Sequence, residues 1–207
     1  MKLYGSQFSP YVRKVRVLLA EKHIPYEFVL EDPWPDDSAI PTRNPLGKVP
    51  VLEIAPGRFL FESPHVVHYL DNLAGKPLQP PDPEGYWRSQ WWQALGHGII
   101  DATVARVLET RRPADKQMPE KMQREEARIA RAFEAADHEF AGGTYLVSDS
   151  DFFTLADLVM GVACQYIDLR YPHEWRSKHP RLRQWLSGIA ARPCFATTLP
   201  PGFIPVS

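Results

Sequence analysis

The apolar pattern of the chain changes character between residues 75 and 84. Before that stretch apolar residues come in short runs broken by turns; after it they recur at helical spacing. In the first half, Lys2–Gly5 reads as a short strand. Ser9-Pro10 then opens a helix, with Ser9 as N-cap and Pro10 at the first helical position. Tyr11, Val15 and Leu18 share one face of that helix and Val12 and Leu19 adjoin it, while Arg13, Lys14, Glu21 and Lys22 fall mostly elsewhere. Pro25 stops the helix near His23. Residues 26–30 read as a second strand, and 31–44, with Pro33, Pro35 and Pro41, as a polar loop holding at most a short helix.

Residues 44–63, NPLGKVPVLEIAPGRFLFES, organise this half. A turn at Asn44, Pro45 and Gly47 leads into an apolar strand over 49–54. A Pro56-Gly57 turn and a strand over Arg58–Phe61 follow, then a helix that starts at Glu62-Ser63 and carries Val66, Val67 and Leu70 inward to Leu73. Pro50 stands at the mouth of its strand, where a proline cannot donate to a ladder. A cis Val49–Pro50 bond would turn the N–H and C=O of Val49 outward, where they could pair with a short extended peptide. Glu62-Ser63 puts a carboxylate and a hydroxyl beside the free N–H groups of a helix start, a seat for a ligand's carboxylate. A plain hairpin ending in an ordinary cap accounts for the same residues. The order strand-helix-strand-loop-strand-strand-helix is thioredoxin-like. Residues 75–83, GKPLQPPDP, read as a semi-rigid linker, which divides the chain into an α/β domain over 1–76, a linker over 77–84 and an all-α domain over 85–207.

In the second half, Trp87, Trp91, Leu95 and Ile99 recur at spacing four over 84–112 and drift to Ala102, Ala105 and Leu108, as the core stripe of a long helix does. Residues 118–141 form another, with Ile129, Phe133, Ala136 and Phe140 inward and Gly142-Gly143 ending it. In DFFTLADL, opening at Asp151, Thr154 and Asp157 are spaced as a capping box and Phe153 and Leu158 as a hydrophobic staple. The helix that follows, over 155–169, is apolar on most sides and so buried, which makes Asp157 a folding residue. A last helix over 180–192 carries Leu182, Trp185, Leu186 and Ile189 inward.

Composition narrows the function. Of 207 residues, 24 are basic and 25 acidic, a net charge of −1 that gives no electrostatic reason for nucleic acid or an anionic membrane as partner. Two cysteines, Cys164 and Cys194, show no pairing pattern and suit a reducing compartment. No signal-peptide pattern opens the chain and no apolar run approaches the roughly 20 residues of a membrane helix, so a cytoplasmic protein is expected. No metal site is expected.

Taken together, Ser9-Pro10-Tyr11 with Arg16, NPLGKVPVL, Glu62-Ser63 and the Thr154–Asp157 box resemble a bacterial cytosolic glutathione transferase over nearly the whole chain. The resemblance implies a thioredoxin-like domain that binds glutathione as co-substrate, an all-helical domain that shapes a second-substrate pocket, and a homodimer. It implies that Val49, beside Pro50, pairs its backbone with the cysteinyl part of glutathione, and that Glu62 and Ser63 hold the γ-glutamyl amine and carboxylate. Lys48 and Arg13 are the candidate cations for the glycine carboxylate. Phe8, Tyr11 and Trp34 are the candidates for the second-substrate pocket.

The chemistry needs a thiolate near neutral pH, whereas a free thiol titrates near 8.5. A helix start lowers that value, and a hydroxyl donor aimed at sulfur adds to the effect. Ser9 holds that place. The omega-like members carry a Cys-Pro-Phe run there, which makes thiol–disulfide chemistry unexpected for Ser-Pro-Tyr. The theta- and delta-like serine position is Phe8, and the tyrosine position of the alpha, mu and pi members is Gly5, with Tyr4 pointing to the opposite face of its strand. Ser9 is therefore either the thiol-activating group or only a helix cap. The first reading gives an enzyme acting on a small apolar electrophile; the alternative is a non-catalytic glutathione-binding or regulatory protein on the same fold. His97 and Asp101 share a helix face at spacing four, which fits a surface hydrogen bond better than a substrate contact. Tyr166 and Tyr171 carry no assignable role.

Overall fold

Strand β1 (Lys2–Gly5) alternates as the sequence demands. Leu3 points to one face of the sheet, where it is fully buried, and Tyr4 points to the other. It pairs in parallel with β2 (Glu27–Leu30) and antiparallel with β3 (Val51–Ala55), which in turn pairs antiparallel with β4 (Arg58–Phe61). The strand order is β2-β1-β3-β4. Helices α1 (Pro10–Glu21) and α3 (Ser63–Leu73) pack against each other, and Val12, Val15, Leu18, Val66 and Leu70 from them are fully buried, as are Leu3 and Leu52. The short helix α2 (Ile40–Arg43) belongs to the other face, where Ile40 clusters with Tyr4 and Val51, and Val29, Val49 and Phe59 pack on them. This is the thioredoxin-like arrangement read from the sequence. The strand expected from residue 49 begins at Val51, after Pro50, which has no N–H to give.

The structure, a computed structural model, describes residues 1–147, 152–171 and 173–206; Asp151, which opens the DFFTLADL motif, lies outside them. The chain divides into two units. Met1–Pro77 together with Arg192–Phe203 form one, and Leu78–Ala191 with the terminal residues from Ile204 form the other. The helical domain expected over 85–207 thus gives up Arg192–Phe203, whose short helix α9 (Pro193–Ala196) packs on α1 and buries Cys194 and Phe195.

Two further expectations for the first unit are corrected. Arg13 and Lys14 are buried, at 3% and 0% exposure, because α1 is covered by α3 and by α9. Lys22, placed off the apolar face of α1, is tied down as well. Its Nζ pairs with the buried Asp71 carboxylate at 2.9 Å and donates to the carbonyls of Asp71, Ala74 and Lys76, so it caps the end of α3.

In the second unit, α4 (Pro83–Thr110) packs against α5 (Pro119–Glu139) and α6 (Leu155–Arg170), and α7 (Trp175–Lys178) and α8 (Pro180–Ala190) follow. The buried residues of α4 include the stripe Gly85, Ser89, Trp92, Gly96, Ile99 and Thr103, joined by Ile100, Ala102 and Glu109. Trp87 and Trp91, expected in the core, are 68% and 42% exposed, whereas Trp92 is 2% exposed. Close approach decides the matter. A Cβ on Gly96 would lie 2.9 Å from Val159 Cγ1, so α6 lies against α4 at this glycine, and the two indoles lie off the buried stripe. The Thr154–Asp157 capping box forms as expected and is fully buried. Among the described residues no helix is long and apolar enough to cross a membrane.

Candidate functional site

Register brings the predicted site residues to one edge of the sheet. Because β1 and β4 both run antiparallel to β3, the ends of β1 and β4 flank the start of β3: Tyr4 stands opposite Val51, and Val51 opposite Phe61. The next residues outward are Gly5 on the way to Ser9, Pro50 preceded by Val49, and Glu62 followed by Ser63. The end of β2 joins the same edge, with Leu30 opposite Gly5.

Ser9 takes extended backbone angles and caps α1. Its Oγ accepts the Val12 N–H at 3.3 Å, and Pro10 occupies the first helical position. A serine hydroxyl that accepts one such bond still has its own hydrogen to donate. The helix start sits hard against the strand, since a Cβ on Gly5 would lie 2.5 Å from Val12 Cγ2. A tyrosine at position 5 has no room. Tyr4 points to the other face, as expected: its hydroxyl donates to Glu53 at 2.8 Å, burial raises its pKa, and Arg43 lies 4.2 Å over its ring.

The turn before β3 is braced from within. Buried Asn44 accepts the Leu46 N–H at 3.0 Å on Oδ1 and donates from Nδ2 to the Lys48 carbonyl at 2.7 Å, while Gly47 supplies the positive φ the turn requires. This network delivers an exposed Lys48 and a half-buried Val49 to the strand mouth, and the Val49–Pro50 bond is cis. Among the described residues, the N–H and C=O of Val49 take part in no backbone hydrogen bond.

Glu62 takes φ 64° and ψ 107°, a conformation that side chains avoid, and makes no side-chain cap bond. Its carbonyl accepts the N–H groups of His65 and Val66 at 2.9 and 3.1 Å, which starts α3 with Ser63 buried at its first position. Sequence spacing had found the residue, but only the backbone shows that it is strained.

Phe8 and Trp34 are exposed and Tyr11 is half-buried, with Lys14 Nζ 5.4 Å over the Tyr11 ring. Arg13 departs from its expected place. Its Nη2 donates to the Phe195 carbonyl at 3.5 Å, and burial, with Arg16 nearby, pulls the guanidinium down to about 10. The cysteines stay neutral thiols: burial pushes Cys164 far up and Cys194 to about 12. In the second unit, His97 Nδ1 meets the Gln93 carbonyl at 2.8 Å. A shallow depression of about 450 Å³ lies over His65, His68, Tyr69, Asn72 and Leu73 of α3. Among the described residues no three His, Cys, Asp or Glu side chains group as a metal site.

Comparison with known proteins follows the same division of the chain. Residues 3–80 match the family Glutathione S-transferase, N-terminal domain, and residues 119–187 match Glutathione S-transferase, C-terminal domain. The uncharacterized GST-like protein YibF of Escherichia coli (strain K12) is 35% identical over 97% of this chain and 99% of its own. A glutathione S-transferase from Methylobacterium radiotolerans, solved in complex with glutathione sulfonate, superposes with TM-score 0.91 at 33% identity, covering 100% of this chain and 97% of its own. Another from Methylobacillus flagellatus, solved with GSH bound, gives TM-score 0.90 at 34% identity over 96% and 98%.

Proposed function

This chain belongs to the cytosolic glutathione transferase family, and from that premise we propose that it binds glutathione along the sheet edge and activates its thiol for attack on a small apolar electrophile. The observation that carries the reading is the convergence of three unfinished chain ends, at Ser9, Val49 and Glu62-Ser63, on adjacent strands. An extended tripeptide spans about 10 Å, and β1 and β4 stand about two strand spacings, again about 10 Å, apart.

The roles follow from the groups at each end. The Val49 N–H and C=O pair with the cysteinyl backbone as one more strand would. Ser63 and the start of α3 take the γ-glutamyl carboxylate, while the Glu62 carboxylate takes the amine. Lys48 offers its cation to the glycine carboxylate, and Pro50 fixes the mouth of the strand. At α1 the helix start favours thiolate over thiol, and the Ser9 hydroxyl donates to the sulfur. The thiol proton passes to solvent water, and the sulfur lone pair of the resulting thiolate forms the new carbon–sulfur bond. The electrophile's leaving group departs with its bonding pair or, in an addition, its π pair moves onto the neighbouring atom. Phe8, Tyr11 and Trp34 offer apolar surface to the electrophile. Conjugation, dehalogenation and isomerisation share this first step. The reading includes a cytoplasmic homodimer.

A specific observation favours a second reading, a glutathione-binding protein without turnover: the commoner catalytic serine and tyrosine positions hold Phe8 and Gly5, and a Cβ on Gly5 would lie 2.5 Å from Val12 Cγ2, so no tyrosine fits there. Isothermal titration with glutathione tests both readings, and absence of binding at millimolar ligand overturns both. Binding with robust conjugation of a generic aryl halide selects the enzyme.

A further inference from the structure

The segment from Arg192 to Phe203 holds α1 at several points along its length. Arg192 pairs with Glu21 at the last turn of the helix. Arg16 Nη1 donates to the Thr198 carbonyl at 3.4 Å in the middle, and Arg13 Nη2 donates to the Phe195 carbonyl near the start, with its guanidinium 5.7 Å over the Phe195 ring. The segment is itself braced: Cys194, Phe195 and Thr198 are buried, and the Thr198 hydroxyl donates to the Cys194 carbonyl at 2.7 Å. All of this comes from a stretch about 180 residues downstream of the helix it grips.

A position so determined matters at the start of α1. There the helix meets β1 with no room for a Cβ on Gly5, and stabilisation of a developing charge falls off within fractions of an ångström of donor displacement. We propose that Arg192–Phe203 is a clamp on α1 and that Arg192, through Glu21, is a positioning residue for the helix start where the glutathione thiol is activated, an inference that rests on the reading above.

Arg192→Gln in the full chain separates positioning from direct electrostatics. Glu21 lies twelve residues beyond Ser9, about 18 Å along the helix, more than two Debye lengths of about 8 Å at physiological salt. Charge lost there does not reach the sulfur directly. The expected result is a rise of about half a unit in the pKa of bound glutathione, read by ultraviolet titration, and with it an approximately threefold lower rate on the acidic limb. The KM for glutathione stays unchanged. Exchanging the pair, with Glu21→Arg and Arg192→Glu together, restores the titration. Amide hydrogen exchange at Val12 and Arg13 quickens in Arg192→Gln, a readout that needs no glutathione. Unchanged exchange overturns the clamp even if glutathione fails to bind, whereas failure of the wild type to bind overturns the parent reading alone. Faster exchange with a coincident thiol titration reduces the segment to a stabilising tail and overturns the positioning role.

Discussion

Helices α1 and α6 both begin at a hydroxyl residue placed to satisfy their free N–H groups, and they end up in opposite states. At α6 everything is closed. Asp157 accepts the Leu146 N–H and the Trp185 indole on one oxygen and the Thr154 N–H and hydroxyl on the other, all at 2.8–3.1 Å and all buried. At α1 the half-buried Ser9 accepts one bond, at 3.3 Å. The start of α3 is more open still, since Glu62 makes no side-chain cap bond and sits at φ 64°. A sealed helix start stabilises the fold; an open one leaves N–H groups, a hydroxyl and a dipole to act on something else. The contrast fits α6 as a folding element and supports the ligand-binding role proposed for the starts of α1 and α3.

Asp157→Ala should break the comparison on its sealed side. It strands four buried donors at once, and each unsatisfied group costs about 1–3 kcal/mol, so a loss of about 3 kcal/mol or more is expected. Chemical denaturation checks the loss. The pKa of bound glutathione in the surviving folded protein should match wild type; a shift would mean that the sealed cap also serves the site.

Ser9→Ala tests the open side, with the balance reversed. The cap bond costs about 0.5–2 kcal/mol of stability, with the low end expected for a bond this long. Losing a hydrogen bond to a charged sulfur costs about 1.5–3 kcal/mol of thiolate stabilisation, which raises the bound thiol's pKa by about one to two units. Since the thiolate is the reactive form, activity at neutral pH falls about ten- to a hundredfold and returns as pH rises through the new pKa. Coincident ultraviolet titrations of wild type and mutant would remove Ser9 from the mechanism and leave the helix N–H groups as the activators.

The same contrast explains what could be read in advance. Strand and helix order, the Thr154–Asp157 box and the Ser9 cap were legible because each depends on local spacing. Trp87 and Trp91 misled because hydrophobic periodicity cannot register a close approach made at Gly96, where α6 meets α4, nor a buried stripe marked by small residues such as Gly85 and Ser89. Arg13 and Lys22 misled in the other direction. Their burial depends on partners from far along the chain, the carbonyl of Phe195 and the end of α3, which no local pattern announces. For the site, residue types at Val49, Glu62 and Ser63 could be picked out, but their convergence follows from the β1-β3-β4 register and the strain at Glu62 from its backbone.

Glu62→Gly sharpens the comparison with a stability effect of the opposite sign. Holding a side-chain residue in a sparsely populated backbone region costs about 1–3 kcal/mol. Glycine removes most of that cost and returns about 0.5–1 kcal/mol of it through a freer unfolded chain. The net expectation is a protein more stable by about 1 kcal/mol, visible as a raised Tm. The same change deletes the carboxylate assigned to the γ-glutamyl amine, a charge-assisted bond of about 1.5–3 kcal/mol, so glutathione affinity should fall by at least about tenfold. Glu62→Gln, which keeps the backbone strain and loses only the charge, should weaken binding without raising Tm. A stability gain with unchanged affinity would make the strain at Glu62 an accident of the turn. Opposite movement of Tm and affinity is what a binding residue held at a cost to the fold requires.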